Sequence, residues 1–235
     1  MLDLQLCQRA LLRPRAHTHW VTSMQFDFEH MTPTQCLEFL TNTVVPRPIA
    51  LITSVSSTGM VNAAPYSFFN IMGIAPPVVA CTVLPRPDGG LKDTGRNILS
   101  AGEFVVNLVS EQIAEAMNVA CIDAPADVEE LPLAGLKIVA SSKIRTPRVA
   151  ASPVAFECVL HADVPLSANQ FIAIGRIVRA HVADEFVVDA AKQVFDTPAL
   201  KLIGAMHAAK WYSRTSDRFA MDRPTWADWV KQGKA

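Results

Sequence analysis

The chain has 235 residues, of which 50% are apolar and 18% charged, and its formal net charge is −1. That is enough apolar material for one sizeable core, and it leaves no broad field to draw in nucleic acid or an anionic membrane. Five cysteines (Cys7, Cys36, Cys81, Cys121 and Cys158) are odd in number and form no C-x-x-C pair. A disulfide framework and a zinc site are therefore not expected, and a reducing cytoplasm fits. No apolar stretch reaches the ~18 residues of a membrane span.

Residues 1–23 carry Arg9, Arg13 and Arg15 against the single acid Asp3, and their apolar pieces are too broken for a secretory signal. They read as a loosely ordered extension, or as the product of an early start codon ahead of Met24. His17 and His19 in this segment lack the further ligands a metal would need.

Ile49 to Val55 reads as a strand, Ser56-Ser57-Thr58-Gly59 as a turn, and Val61 to Tyr66 as the hairpin partner. Pro77 to Leu84 is a continuous apolar run suited to a buried strand. Pro85 to Gly90 is a loop. Asp93 or Thr94 then caps a short helix that Gly102 closes. Phe104 to Val109 is a strand, and Ser110 caps a helix to about Val119. The acidic, Pro-containing stretch 123–135 reads as an exposed excursion. Phe156 to Val164 alternates, with Phe156, Cys158, Leu160 and Ala162 on one face and Glu157, Val159, His161 and Asp163 on the other. Phe171 to Val182 is long and holds Gly175, which implies a bend or bulge. From Lys210 onward no clear period is visible. Six or more strands arrive as hairpins and near-neighbours, so the expected class is mainly β with short helices, arranged as an antiparallel barrel. There is no G-x-G-x-x-G motif and no Walker loop.

Two kinds of site can be built from the residues. A phosphate needs cations, hydroxyls and free backbone N–H groups, which a helix start provides. Lys92, Asp93 and Thr94 stand at such a start, and Arg47, between Pro46 and Pro48, is a second cation held in a restricted backbone. A flat heterocycle such as an isoalloxazine needs apolar surface with polar groups at its edge. Ala64, Tyr66, Ser67, Phe68, Phe69 and Asn70 offer that, with Pro65 expected to interrupt the strand. Each piece has an ordinary alternative: an exposed loop and cap for Lys92 and Thr94, core filling for Phe68 and Phe69, a turn hydroxyl for Ser67. No G-x-S-x-G motif occurs. His161 and His181 read as surface or rim residues, His181 being the better functional candidate because the strand bends before it.

In order along the chain stand Arg47-Pro48-Ile49-Ala50, Asn62 to Asn70, Lys92-Asp93-Thr94 with Arg96-Asn97-Ile98, Gly102 to Leu108, Ser152 to Cys158, and Gly175-Arg176-Ile177-Val178 before His181-Val182. Together they resemble the flavin reductase-like family, over residues 24–223, with 224–235 as a tail. The resemblance implies an FMN-binding split β-barrel, a homodimer, and either an NAD(P)H-dependent flavin reductase or an FMN-carrying electron-transfer protein. By position it implies Arg47, Lys92 and Thr94 at the phosphate, with Asp93 beside them. It implies Ala64, Tyr66, Ser67, Phe68 and Asn70 along the ring and ribityl chain. His181 and Trp211 are further cofactor-contacting candidates, Trp211 lying in the family's C-terminal part. His207 departs from the small residue many relatives carry. No side chain is required as an acid–base catalyst and no metal ligand is expected, because hydride transfer from NADH or NADPH is the cofactor's own chemistry.

Overall fold

The structure, a computed structural model, describes residues 23–122, 128, 130–207 and 210–231. The chain divides into two units, residues 1–37 and 38–235. In the first, the Asp27 carboxylate accepts from the Glu29 N–H and caps a 3-10 turn over Phe28–His30.

In chain order the helices are α1 (Pro33–Thr43), which crosses the division, α2 (Asp93–Ala101), α3 (Ala114–Val119), α4 (Glu130–Leu133) and α5 (Trp226–Lys231). The first six strands are β1 (Arg47–Pro48), β2 (Ala50–Val55), β3 (Val61–Tyr66), β4 (Phe69–Ile74), β5 (Pro77–Val83) and β6 (Glu103–Leu108). Then come β7 (Ile138–Val139), β8 (Arg148–Val149), β9 (Val154–Ser167), β10 (Gln170–Val182), β11 (Val187–Asp189), β12 (Val194–Phe195), β13 (Ile203–Ala205) and β14 (Tyr212–Arg214).

Seven strands form one sheet in the order β3-β2-β6-β9-β10-β5-β4, antiparallel at every pairing. All seven send side chains into a single core that includes Ile52, Tyr66, Phe69, Val79, Phe104, Cys158 and Phe171. The sheet is therefore curled around its own apolar face, with β3 and β4 left as edges. This is a split antiparallel barrel, as expected from the sequence.

β2 is apolar without alternation because it is covered on both sides. Ala50 and Ile52 face the barrel core, while Leu51 joins a second cluster with Val109, Ile113, Met117 and Leu131 under α3 and α4. Ile52 and Leu51 are fully buried, each worth about 1.5–3 kcal/mol by area. The bend expected at Gly175 is present as register shifts between Ile174 and Gly175 and between Ile177 and Arg179. Its physical reason is space: a Cβ on Gly175 would lie 2.4 Å from Phe104 Cζ.

Several expectations are corrected. Pro65 does not interrupt its strand; β3 runs through it because β3 is an edge and the missing N–H costs no ladder bond. Glu157 does lie on the face opposite Cys158, as its spacing implies, but that face is covered there. Its carboxylate is fully buried under residues 142–143, accepting from Ser142 N (2.7 Å), Ser142 Oγ (3.0 Å) and Lys143 N (2.7 Å). Neither Asp93 nor Thr94 caps α2; Lys92 holds that position without a side-chain bond, while Gly102 (φ 70°) closes the helix as expected. The helix expected after Ser110 is a 3-10 turn over Glu111–Ile113 followed by α3, again with no side-chain cap. The excursion at 123–135 lies partly outside the described residues, and in the part described Leu131 is buried. Among the described residues, no helix is long and apolar enough to cross a membrane.

Candidate functional site

A cleft of about 370 Å³ opens where the edge strand β3 meets the start of α2. Asn62 and Ala64 of β3 form one wall, Lys92, Asp93 and Thr94 a second, the Arg86–Pro87 loop a third, and Cys121 and Glu130 a fourth. The volume falls within the range of small-molecule sites.

The α2 side is built for an anion. The first helical N–H groups have no intrahelical acceptor, and Arg96 N is the first to bond back, to Lys92 O at 3.1 Å. The amphipathic pattern of α2 turns Ile98 into the core, and a Cβ on Gly95 would meet Leu91, Val83 and Phe171 within 2.9–3.2 Å, so close packing fixes where the helix begins. Asn97 Nδ2 donates to Ser54 Oγ (3.1 Å) and ties the helix to β2. Thr94 is almost fully buried, and its Oγ1 accepts from Asn62 Nδ2 at 2.8 Å. That bond occupies an acceptor position and leaves the hydroxyl proton available to an anion in the cleft. Asp93 is held between Arg86 and Arg96, which neutralises its charge beside the site. Lys92 makes no ion pair among the described residues and stands free for an anion.

Tyr66 lies behind Thr94 in the barrel core, 7% exposed, and among the described residues its Oη has no hydrogen-bond partner. Burial raises its pKa far above the phenolic range. The nearby Thr94 hydroxyl opposes that rise, although not at bonding geometry, and Cys81 and Glu130 add to it. A neutral phenol with an unused donor behind Thr94 is a group awaiting an acceptor. The free Lys92, the donor-ready Thr94 and the helix start together fit a phosphorylated ligand.

The remaining sequence candidates lie elsewhere. Arg47 is buried, and its guanidinium is already committed: Nη1 donates to Thr41 O and Val44 O, Nη2 to Met206 O (each 2.8 Å), and Nε to Ser67 Oγ (3.4 Å). It satisfies carbonyls at the end of α1 and beyond β13, and it does not line the cleft. Ser67 serves that same arginine. Phe68 is half-buried, and its carbonyl accepts from Thr82 N (2.9 Å). Asn70 is exposed on β4 and accepts from the Ile71 N–H. His181 Nε2 pairs with Glu157 Oε1 at 2.6 Å. Trp211 is exposed and stacks on His207 with centroids 5.7 Å apart. The structure thus gathers Ala64, Lys92, Asp93 and Thr94 around one cleft, sets Tyr66 behind Thr94, and leaves the other six outside its lining. The sequence did not single out Arg86, Cys121 and Glu130, which also line the cleft. Arg86 sits seven positions before its partner Asp93 and was readable as a loop cation. Nothing local marked Cys121 or Glu130.

Comparison with known proteins identifies the family of the fold. Residues 42–198 match the flavin reductase like domain. An uncharacterized protein of Deinococcus radiodurans is 38% identical over 94% of this chain and 96% of its own length. Two solved structures superpose with TM-score 0.79. Nitrilotriacetate monooxygenase component B from Bacillus cereus is 32% identical, over 85% of this chain and 99% of that one. The Pseudomonas fluorescens 2-nitrobenzoate 2-nitroreductase NbaA is 33% identical, over 86% and 98%. The chain belongs to the flavin reductase-like family of split-barrel oxidoreductases, whose cofactor is a flavin.

Proposed function

We propose that the chain is an NAD(P)H-dependent flavin reductase that holds FMN in the cleft between β3 and α2. The observation that carries the reading is the unpaired Lys92 beside the Thr94 hydroxyl and the open start of α2, a combination suited to a terminal phosphate. A bound flavin supplies hydride-accepting chemistry. The chain's own residues bind and orient: Lys92 and Thr94 fix the phosphate end, and Ala64 and Pro65 line the wall toward the ring. Similarity to a monooxygenase component and to a nitroreductase supports a redox role.

The active form in this reading is a homodimer in the cytoplasm. Support comes from the β4 edge, where Ile71, Met72 and Ile74 are 65%, 62% and 89% exposed on a strand with one side unpaired. The four described cysteines are all free thiols, in keeping with a reducing compartment.

Stopped-flow mixing of the FMN-loaded protein with NADH and with NADPH tests the reaction. Rapid bleaching of the flavin absorption with at least one of the two is expected. Bleaching only with dithionite or a protein donor contradicts a reductase and leaves an electron carrier. Sedimentation equilibrium tests the dimer, and a monomer at micromolar concentration would remove it.

A further inference from the structure

Glu130 is a carboxylate in a cleft that otherwise suits an anion. It opens α4, lines the same cleft as Lys92 and Thr94, and also borders a smaller cavity of about 40 Å³ beside Asn62, Asp93 and Asn97. Its Oε2 accepts from the Ala63 N–H on the edge strand at 3.4 Å, a long bond that anchors the group without using its capacity. Among the described residues, Oε1 has no hydrogen-bond partner and no cation lies within ion-pairing distance. A half-buried carboxylate oxygen is an acceptor only, so what it needs is a donor. Tyr66 Oη, buried and unpartnered, lies close enough for the Glu130 charge to act on it.

The cleft therefore holds a free cation, a helix start and an underused acceptor in its lining. A phosphate cannot lie against Glu130, because both are anionic and neither carries a proton for the other. A ligand that satisfies both Lys92 and Glu130 carries its phosphate on a short chain of neutral hydroxyl donors. Resting on the flavin reading above, we propose that Glu130 is the polyol-reading residue of this site: its carboxylate accepts hydroxyl donors of the ribityl chain, while Lys92 and Thr94 take the phosphate.

The test uses FMN, riboflavin and lumiflavin, which has the ring but no ribityl chain, titrated by fluorescence against the full-length protein and Glu130→Gln. Replacing a charge-assisted acceptor by a neutral amide is expected to weaken riboflavin about tenfold and to leave lumiflavin unchanged. Glu130→Asp, which keeps the charge but withdraws the oxygens, is expected to weaken riboflavin as well, and it replaces Glu130→Gln if that variant is unfolded by circular dichroism. Equal losses for riboflavin and lumiflavin overturn the proposal, since the residue then acts on the ring or the fold. Unchanged riboflavin with tighter FMN also overturns it, since the carboxylate then only opposes the phosphate. A wild-type protein that binds none of the three overturns the flavin reading itself, whereas wild-type binding that is indifferent to Glu130→Gln overturns only this subsite.

Discussion

Replacing Glu157 by glutamine removes a charge that the fold has closed over. The wild-type carboxylate uses both oxygens: Oε1 accepts from Ser142 N, Ser142 Oγ and His181 Nε2, and Oε2 from Lys143 N. Burial alone would raise its pKa, but the bonds from His181, Ser142 and Lys143 outweigh that and bring it down to about 2. The folded value lies below the unfolded value of roughly 4.3. The ionised group therefore stabilises the fold fully above about pH 5, and that contribution is lost as pH falls through 4 toward 2. A displacement of this size corresponds to about 3 kcal/mol, trimmed to about 2 because solvent lies just beyond a single covering loop. Glutamine also turns an N–H toward either Lys143 N or the Ser142 donors, leaving a buried donor unpaired at about 1–3 kcal/mol. The expected loss at pH 7 is about 3–5 kcal/mol, or roughly 6–20 °C in Tm for a chain of this size. Urea unfolding of wild type and Glu157→Gln at pH 7, 5 and 3 reads it directly. The gap between the two should shrink toward pH 3. A gap below about 0.5 kcal/mol at pH 7, or one that does not change with pH, would refute the reasoning.

Gly175→Ala places a methyl 2.4 Å from Phe104 Cζ and 3.0 Å from Cys158 Cβ in the closed core. It should cost about 1–3 kcal/mol in thermal melts, with Phe104→Leu recovering part of the loss. Arg47→Met leaves the carbonyls of Thr41, Val44 and Met206 without their donor and should destabilise by about 2–4 kcal/mol. Because Arg47 lies outside the cleft, the same variant should leave the ratio of FMN to riboflavin affinity unchanged, and a selective loss of FMN would return Arg47 to the phosphate.

The strands were legible wherever one face is buried and the other is not, or wherever both are. The continuous apolar run of β2, the Gly175 bend and the Gly102 cap each follow from local chemistry. β4 was not, because Asn70 reads as a ligand contact and the exposed Ile71 and Met72 break the usual alternation. β13 and β14 are three residues each and gain their identity from pairing with each other and with β1, which no local pattern encodes. Period places Glu157 on the face opposite Cys158, and only the return of residues 142–143 over it makes it buried. Within the site, Lys92, Asp93 and Thr94 were visible because a helix start carries its own signature. Arg47 was placed there by its family position and its cationic character, yet those same properties satisfy a helix end. Glu130 was invisible because it meets Ala63 across 67 positions of sequence.

The central claim is that the mouth of α2 holds the phosphate of a flavin. Equilibrium dialysis of FMN and of riboflavin against wild type and against the double variant Lys92→Ala, Thr94→Val tests it most directly. The account predicts that wild type prefers FMN, that the double variant loses FMN affinity about 100-fold, and that riboflavin changes by less than about threefold. Equal losses for the two ligands, or an FMN affinity untouched by the double substitution, would contradict it.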